Sequence, residues 1–409
     1  MDQKTLREKL KKLREENGLT QEAVEKAIGL PQKACTHIEA GSRNVSTLEL
    51  AKLAELFQIS IADFFNQNEY DQDLLVTLYR AAPDLKKNQK IRNEISTYIR
   101  ICKEGVVLEK LLGLSQRHTI LQYPFSLPKN IGEAISQGES VAREERRRLE
   151  LGDGPLHNIA ELLSSQGIWA CSAILPQEIS GLFFKHLSLR MAILVNAKHA
   201  PARSLFSYAH EYAHALFDQN RTITISRSDN SSEFVEIRAN AFASAFLMPD
   251  AGISQFLLSL GKGNPSRSYL AVFNEFHEKA IDTQSRRIAS LQKISPQVIA
   301  LVAHHFGVSY QAALFRLQNL QYIKPQERDK LLNEESMGKE YLRILHLNDV
   351  EPSRERFIQD RELKAFVAHL SFEAYQHEKV SRGRFLELMK LLQLPAEKLL
   401  DLADSGKIA

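Results

Sequence analysis

The chain has 409 residues, which is too long for a single small core and predicts roughly two to four packed units. Its hydrophobic content of 44% and charged content of 25% are ordinary for a globular protein and exclude wholesale disorder. The net charge of +3 is too small to indicate nucleic-acid or membrane binding by composition alone, so any such role requires a local patch.

Cysteine usage and hydropathy indicate where the protein works. The three cysteines are far apart in the sequence, which excludes a disulfide framework and a cysteine-rich zinc site and suits a reducing cytosol. The N-terminus runs directly into charged, helix-like sequence, and no apolar run approaches the roughly 18 residues of a membrane span. We therefore expect a soluble, cytoplasmic protein with no membrane partner.

The first 65 residues predict a series of short helices. Leucines recur at helical spacing, Thr20 is a suitable N-cap for the second helix, and Gly29 turns the chain into the third. The predicted helices after the first cover residues 21–28, 32–39 and 46–57. Compact helix-turn-helix units of this length can present one helix to the major groove of DNA.

The middle of the chain changes from helix to strand. Residues 71–114 are charged and nearly free of glycine and proline, which predicts a helical connector. Three short β-prone stretches, at residues 167–175, 181–187 and 191–196, predict a small sheet. Everything after Ala200 is predicted to be helical. The expected fold class is therefore α+β, mostly α.

The most informative motif is His210-Glu211-Tyr212-Ala213-His214, an HExxH sequence in an apolar stretch that favours a helix. Residues four apart lie on one face of a helix, so both imidazoles can reach one metal ion. Glu211 falls where its carboxylate can take a proton from a metal-held water. Because burying these polar groups is costly unless they are satisfied, the motif predicts a metal site.

A hydrolytic zinc site takes a third protein ligand and leaves a fourth position for water. Glu236 opens a second apolar helix 22 residues after His214, which leaves enough chain for that helix to pack back on the first. Glu233 is the alternative ligand, one near-turn earlier, although a solvated carboxylate at the helix start is the simpler interpretation of it. On the residues alone, both remain candidates.

An ordered series of motifs resembles the ImmA/IrrE family of zinc metallopeptidases. The motifs are Gly152 to Pro155, Ser180 to Leu182, Ile193 to Asn196, Phe206 to Glu211, Glu236 to Ala243 and Leu247 to Pro249. The resemblance covers about residues 140–325 and implies a gluzincin-like fold that binds one Zn²⁺ per chain. It implies that His210, His214 and Glu236 are the metal ligands and that Glu211 is the catalytic base. Arg238 stands where the family often has an acidic residue, and we do not assign it as a ligand.

The N-terminal helices resemble the phage-repressor (XRE) type of helix-turn-helix. The matching residues are Thr20-Gln21, Gly29, Ile38-Glu39, Gly41 and the helix from Leu48 to Phe57. The resemblance places Gln32, Lys33 and His37 at the major groove. It places Gln21 and Arg43 at phosphates. Double-stranded DNA is therefore an expected partner, and because such units bind as dimers, we also expect a homodimer.

Two features limit how far the sequence supports DNA binding. Residues 1–66 contain ten basic and ten acidic side chains, so counterion release must rely on one face of the domain. Glu25 stands where the family usually has alanine, between the second and third helices, and its carboxylate is expected to escape to solvent or to push the helices apart. The alternative role for this domain is dimerisation or contact with a protein.

The expected organisation has four parts. They are an XRE-type helix-turn-helix domain at residues 1–67, a helical connector at 68–125, a metallopeptidase domain at 126–325 and a C-terminal helical region at 326–409. The hypothesis is a zinc metallo-endopeptidase fused to a DNA-binding domain, which cleaves a repressor or another partner protein in a transcriptional, stress or mobile-element response. The alternative is an XRE-type transcriptional regulator whose peptidase-like domain senses a signal or partner without proteolysis.

Overall fold

The structure of the chain is a computed structural model. The residues that it describes are 3–16, 19–57, 64, 70–114, 121–156, 158–186, 189–227, 230, 232–262, 267–274, 279–286, 292–347 and 352–405. The strands are β1 Ile168–Ala173, β2 Ile179–His186, β3 Arg190–Asn196, β4 Ile223–Arg227, β5 Arg267–Asn274 and β6 Lys279–Arg286.

The helices dominate the described part of the chain. Those of the first half are α1 Gln3–Glu16, α2 Gln21–Ile28, α3 Ala34–Ala40, α4 Thr47–Phe57, α5 Tyr70–Ala81, α6 Pro83–Lys87, α7 Gln89–Leu111, α8 Ile131–Arg148 and α9 Ile159–Ser165. Those of the second half are α10 Pro201–Phe217, α11 Phe234–Leu247, α12 Asp250–Ser259, α13 Pro296–Phe306, α14 Tyr310–Asn319, α15 Pro325–Asn333, α16 Glu335–Ile344, α17 Pro352–Gln376, α18 Arg382–Leu391 and α19 Ala396–Ser405. The architecture is α+β and mostly α, as predicted.

A four-stranded mixed sheet with the order β1-β3-β2-β4 is the centre of the fold. β1 and β3 are parallel, whereas β2 runs antiparallel to both β3 and β4. Successive side chains alternate between two cores: Ile168 and Ala170 pack with α10 and α11, while Trp169 and Cys171 pack with α7 and α17. Helices therefore cover both faces, which explains why every residue of β1 is buried.

The prediction that everything after Ala200 is helical is wrong. β4 pairs with β2, and β5 and β6 form a separate antiparallel hairpin. β4 is only five residues long, and its alternating, β-branched sequence is too short to stand out between two strong helices. The three strands predicted between residues 167 and 196 are confirmed.

The segment predicted as a connector is helical and contributes to the core. Tyr98 of α7 is buried, and its hydroxyl lies within hydrogen-bond distance of the carbonyl oxygens of Trp169 and Ile193, at 2.6 and 2.8 Å. It therefore bridges the parallel strands β1 and β3. Gly105 lies against the Trp169 ring so closely that an added Cβ would be 2.4 Å from it. Buried residues of α17, α18 and α19 complete the same core.

A close helix contact sets the position of α11. An added Cβ at Gly138 of α8 would lie 2.4 Å from the carbonyl oxygen of Arg238 in α11. The absence of a side chain therefore lets the two backbones approach each other. No described helix is by itself long and apolar enough to cross a bilayer, although two bent helix pairs reach that length together.

The N-terminal helices α1 to α4 enclose a small core of their own. α3 begins at Ala34, two residues later than predicted, because Lys33 adopts a left-handed conformation with φ of 66°. The expectation for Glu25 is wrong, since its side chain is buried between α2 and α3. Its carboxylate accepts hydrogen bonds from the backbone N–H groups of Lys33 and Cys35, at 3.1 and 2.8 Å. Glu25 thus caps the positive end of α3.

We predict that Glu25→Ala destabilises the helix-turn-helix domain by about 1–2 kcal/mol, because it leaves the N–H of Cys35 buried without an acceptor. Glu22→Ala, an exposed position on the same helix, is the matched control and should change stability little. Chemical denaturation of the full-length protein, followed by a probe in this domain, measures the difference. Equal stabilities of the two variants would show that the cap contributes nothing.

Candidate metal centre

The HExxH motif lies on α10, a helix that begins with Pro201 and is apolar around the motif. His210 and His214 are one turn apart and buried, and their Nε2 atoms are 3.2 Å apart. Two imidazole nitrogens at this separation face the same point in space. The helix therefore directs two nitrogen donors at one point, as a metal site requires.

The first turn of α11 supplies a carboxylate to the same point. Glu236 Oε2 is 3.1 Å from His210 Nε2, and Glu236 Oε1 is 3.5 Å from His214 Nε2. One donor atom from each of the three residues lies within 4.8 Å of the others. Glu233, the alternative ligand, is exposed in the N-cap position of α11 and is not part of this group.

Each histidine is oriented by a hydrogen bond to its other ring nitrogen. His210 Nδ1 lies 2.9 Å from Asn240 Oδ1, and His214 Nδ1 lies 2.8 Å from Asp218 Oδ2. Because an amide or carboxylate oxygen only accepts, both Nδ1 atoms donate, and both Nε2 atoms are directed to the common point. Neither Asn240 nor Asp218 was predicted to have a role. Their signal was helical spacing, four residues after Glu236 and His214 respectively.

A buried arginine completes the support of His214. Arg238 is 2% exposed, and its guanidinium donates to Asp218 Oδ1 at 2.8 Å. It also lies over the Phe217 ring, 4.3 Å from the centroid. Arg238 belongs to α11 and Asp218 directly follows α10, so this ion pair ties together the two helices that carry the donor groups.

The side chains of His214 and Glu236 shift the pKa values of one another. Burial alone would raise the pKa of Glu236, but hydrogen bonds to His210 and His214 outweigh it and lower that pKa to about 2. Burial alone would lower the pKa of His214, but hydrogen bonds to Asp218 and Glu236 outweigh it and raise that pKa to about 10. At neutral pH the group therefore holds a carboxylate and a proton that a metal ion can replace.

Glu211 is fully buried next to this group. Burial raises the pKa of its carboxyl group. Neither carboxylate oxygen has a hydrogen-bond partner among the described residues. Gly181 of β2 covers it, and an added Cβ there would be 2.4 Å from Glu211 Oε1. An unpaired carboxylate in this position is free to accept a proton.

The structure treats the five predicted DNA-contact residues in two ways. The side chains of Gln32, Lys33 and His37 are exposed at the start and on the outer face of α3. Those of Gln21 and Arg43 take part in contacts within the domain. Gln21 donates to Glu39 and accepts from the Thr36 hydroxyl, and Arg43 pairs with Glu49.

Two family models match the chain. Residues 164–273 match the peptidase M78 family, described as an IrrE N-terminal-like domain, and residues 10–64 match a helix-turn-helix domain. The chain is a fusion of these two domain types. The resemblance found in the sequence is thereby confirmed. The IrrE N-terminal-like match includes β1 to β4, α10 and α11, and so contains the whole candidate centre. No curated protein shows a significant match to the chain.

We predict that zinc binding to the metal-free IrrE N-terminal-like domain releases about one proton at pH 7. Its affinity should rise with pH up to about 10, because the proton that His214 holds below its raised pKa must leave before the metal binds. Calorimetric titration of the full-length protein in two buffers of different ionisation enthalpy measures this proton. Equal observed enthalpies in the two buffers would contradict the assignment.

Asp218→Asn provides a companion test. It removes the carboxylate that stabilises protonated His214, so fewer protons should be released on zinc binding. It also weakens the orientation of the His214 ring, and zinc affinity should fall roughly 10–100-fold. Unchanged affinity in a folded Asp218→Asn variant would exclude this supporting role.

Proposed function

We propose that the chain is a zinc-dependent endopeptidase fused to a DNA-binding domain. It would cleave a repressor or another partner protein in a transcriptional, stress or mobile-element response. One observation carries the proposal: two histidine nitrogens and a carboxylate converge within 4.8 Å beside a buried, unpaired glutamate. The match of residues 164–273 to a peptidase family agrees with it.

The donor set fits zinc. Two imidazoles and one carboxylate from His210, His214 and Glu236 are the ligands of many hydrolytic zinc sites, and they leave a fourth position open. When bound, zinc polarises a peptide carbonyl and lowers the pKa of a water molecule. The residue pairs Asn240–His210 and Asp218–His214 would keep the ligand nitrogens directed at the ion.

Glu211 would act as the base and then as the acid. Its carboxylate takes the proton from the attacking water and passes it to the amine that leaves. Burial raises its pKa, which makes the carboxylate a better proton acceptor than an exposed glutamate. The Gly181 backbone fixes where that carboxylate can lie.

The helix-turn-helix domain would bind double-stranded DNA as a homodimer. Gln32 and Lys33 are exposed just before α3 and can reach base edges, whereas His37 would first have to leave its contact with Ser42. Gln21 and Arg43 must exchange their contacts with Glu39 and Glu49 for phosphates. DNA binding at this domain would then compete with those internal hydrogen bonds.

A regulator without proteolysis is the second candidate, and burial of the centre favours it. Glu211 and His214 have no exposed surface, and His210 and Glu236 are 7% and 3% exposed. A centre so enclosed offers a protein substrate little surface to contact. A sensor that binds metal for structure needs no such surface.

We predict that Glu211→Gln retains zinc, because Glu211 is not among the three donor groups, but abolishes cleavage. Pull-down with this variant from cells that carry the natural partners should enrich a protein that wild-type enzyme cleaves. The matched control is Glu233→Gln, an exposed glutamate that should leave cleavage intact. Regulation that survives Glu211→Gln but is lost with Lys33→Ala would favour the non-proteolytic regulator.

We predict that Lys33→Ala lowers affinity for a DNA site selected from a random library by roughly tenfold, as expected for loss of one base-edge contact. Lys26→Ala removes the same charge from an exposed position on α2 and should weaken binding less. Gel-shift titration at fixed salt measures both. Equal losses would indicate non-specific attraction, and no binding by the wild type would favour protein contact as the role of this domain.

A further inference from the structure

A single cross-strand pair forms the wall next to Glu211. The ladder between β2 and β4 places Ser226 opposite Gly181. Residues opposite each other in a sheet direct their side chains to the same face. The Cβ position of Gly181 points at the Glu211 carboxylate, at 2.4 Å. The Ser226 side chain therefore lies on the face of the sheet that meets Glu211.

The hydroxyl of Ser226 is buried and unpaired. Ser226 is 2% exposed, and its Oγ has no hydrogen-bond partner among the described residues. The two carboxylate oxygens of Glu211 are also buried and have no hydrogen-bond partner among the described residues. The hydroxyl is near enough to the carboxylate to act against the rise that burial causes in the pKa of Glu211. A donor and an acceptor that are both buried and both unpaired are costly unless they bind each other or a water molecule.

The backbone that carries this hydroxyl is fixed. The carbonyl oxygen of Ser226 accepts from the Ser180 hydroxyl at 3.1 Å. On either side of Ser226, Asn230 donates to the carbonyl oxygen of Ile225 and accepts from the N–H of Arg227. With the strand held in place, the Ser226 side chain can still change its rotamer.

We propose that Ser226 is a positioning residue for Glu211. Its hydroxyl donates to one carboxylate oxygen and leaves the other oxygen for proton transfer. The proposal deepens the proposed function and rests on it, because that function makes Glu211 the base. β4 would thereby belong to the catalytic centre, although it contributes no metal ligand.

Thr224 offers a matched control on the same strand. It lies two residues before Ser226, on the same face, and is paired with Phe183. Its hydroxyl is also buried and has no hydrogen-bond partner among the described residues. Thr224→Val removes that hydroxyl with nearly the same shape, as Ser226→Ala does for the other. The two variants therefore differ in position: Ser226 is opposite Gly181, which lies against Glu211, whereas Thr224 is opposite Phe183.

The first experiment compares the stability of the metal-free, full-length variants. If the Ser226 hydroxyl made no hydrogen bond, Ser226→Ala would remove an unpaired buried polar group and stabilise the protein. The proposal expects the opposite: a lower midpoint of unfolding for Ser226→Ala, recovery with Ser226→Thr, and no such fall for Thr224→Val. In the Glu211→Gln background the effect of Ser226→Ala should shrink. A stabilised Ser226→Ala variant, or the same effect in both backgrounds, would overturn the proposal.

The second experiment uses Co²⁺ as a spectroscopic probe of the donor group in the full-length protein. Wild type, Ser226→Ala, Ser226→Thr and Thr224→Val should each bind one equivalent with the same visible spectrum at a fixed pH, because no donor group is changed. A folded Ser226→Ala variant that binds no cobalt would show that Ser226 acts on the donor group and not on Glu211, and would overturn the proposal.

These experiments test the Ser226–Glu211 contact separately from proteolysis. A wild-type protein that binds cobalt and shows the Ser226 effect, yet cleaves no partner, would refute proteolysis and leave the Ser226–Glu211 contact standing. If a cleaved partner is identified, Ser226→Ala should lower kcat about tenfold with KM unchanged, since Ser226 acts through Glu211 and not on the substrate. A change in KM alone would contradict that role.

Discussion

The structure depends on the convergence of two imidazoles and one carboxylate, contributed by two helices, at one buried point. Polar groups in a helical core are costly unless they satisfy one another. Here His210, His214 and Glu236 are within hydrogen-bond range of each other, and each imidazole has a further partner behind it. The arrangement holds the three donor atoms in place before any metal binds, which limits the cost of ordering them.

Packing around the two helices maintains this convergence. α11 lies close to α8 because Gly138 has no side chain, and it is tied to the end of α10 by the pair between Arg238 and Asp218. The sheet completes the enclosure, with Gly181 over Glu211. The same sheet uses its other face to pack α7 and the C-terminal helices. α7 and the C-terminal helices α17 to α19, which lie outside the IrrE N-terminal-like match, therefore support the strand layer from behind.

The sequence alone predicts those features that are encoded by residues at a fixed local spacing. The HExxH motif predicts two donors on one helix face, and the family resemblance favours Glu236 over Glu233. In the structure Glu236 lies beside both histidines and Glu233 is exposed, and metal binding by these residues stays a prediction. The helix-turn-helix was recognisable for the same reason, since its turn residues recur at set intervals. These features are local, or lie in one ordered series of motifs.

Features that depend on tertiary contact were not predictable. β4 is a strand because it completes the edge of β2, and its five residues carry little signal of their own. Glu25 appeared to disrupt the contact between α2 and α3, but the unpaired N–H groups at the start of α3 make its carboxylate a cap. Arg238 appeared only as a departure from a family pattern, and its role became clear when Asp218 was found beside it.

The most direct measurement is the metal content of full-length protein purified without added metal. Mass spectrometry determines it for the wild type and for three variants. We expect about one zinc per chain for the wild type and for Glu233→Ala, since Glu233 is exposed outside the centre. It predicts loss of that zinc in His210→Ala and in Glu236→Ala, each of which removes one of the three donors. Retention of zinc by folded Glu236→Ala, or loss of it in Glu233→Ala, would contradict the site described.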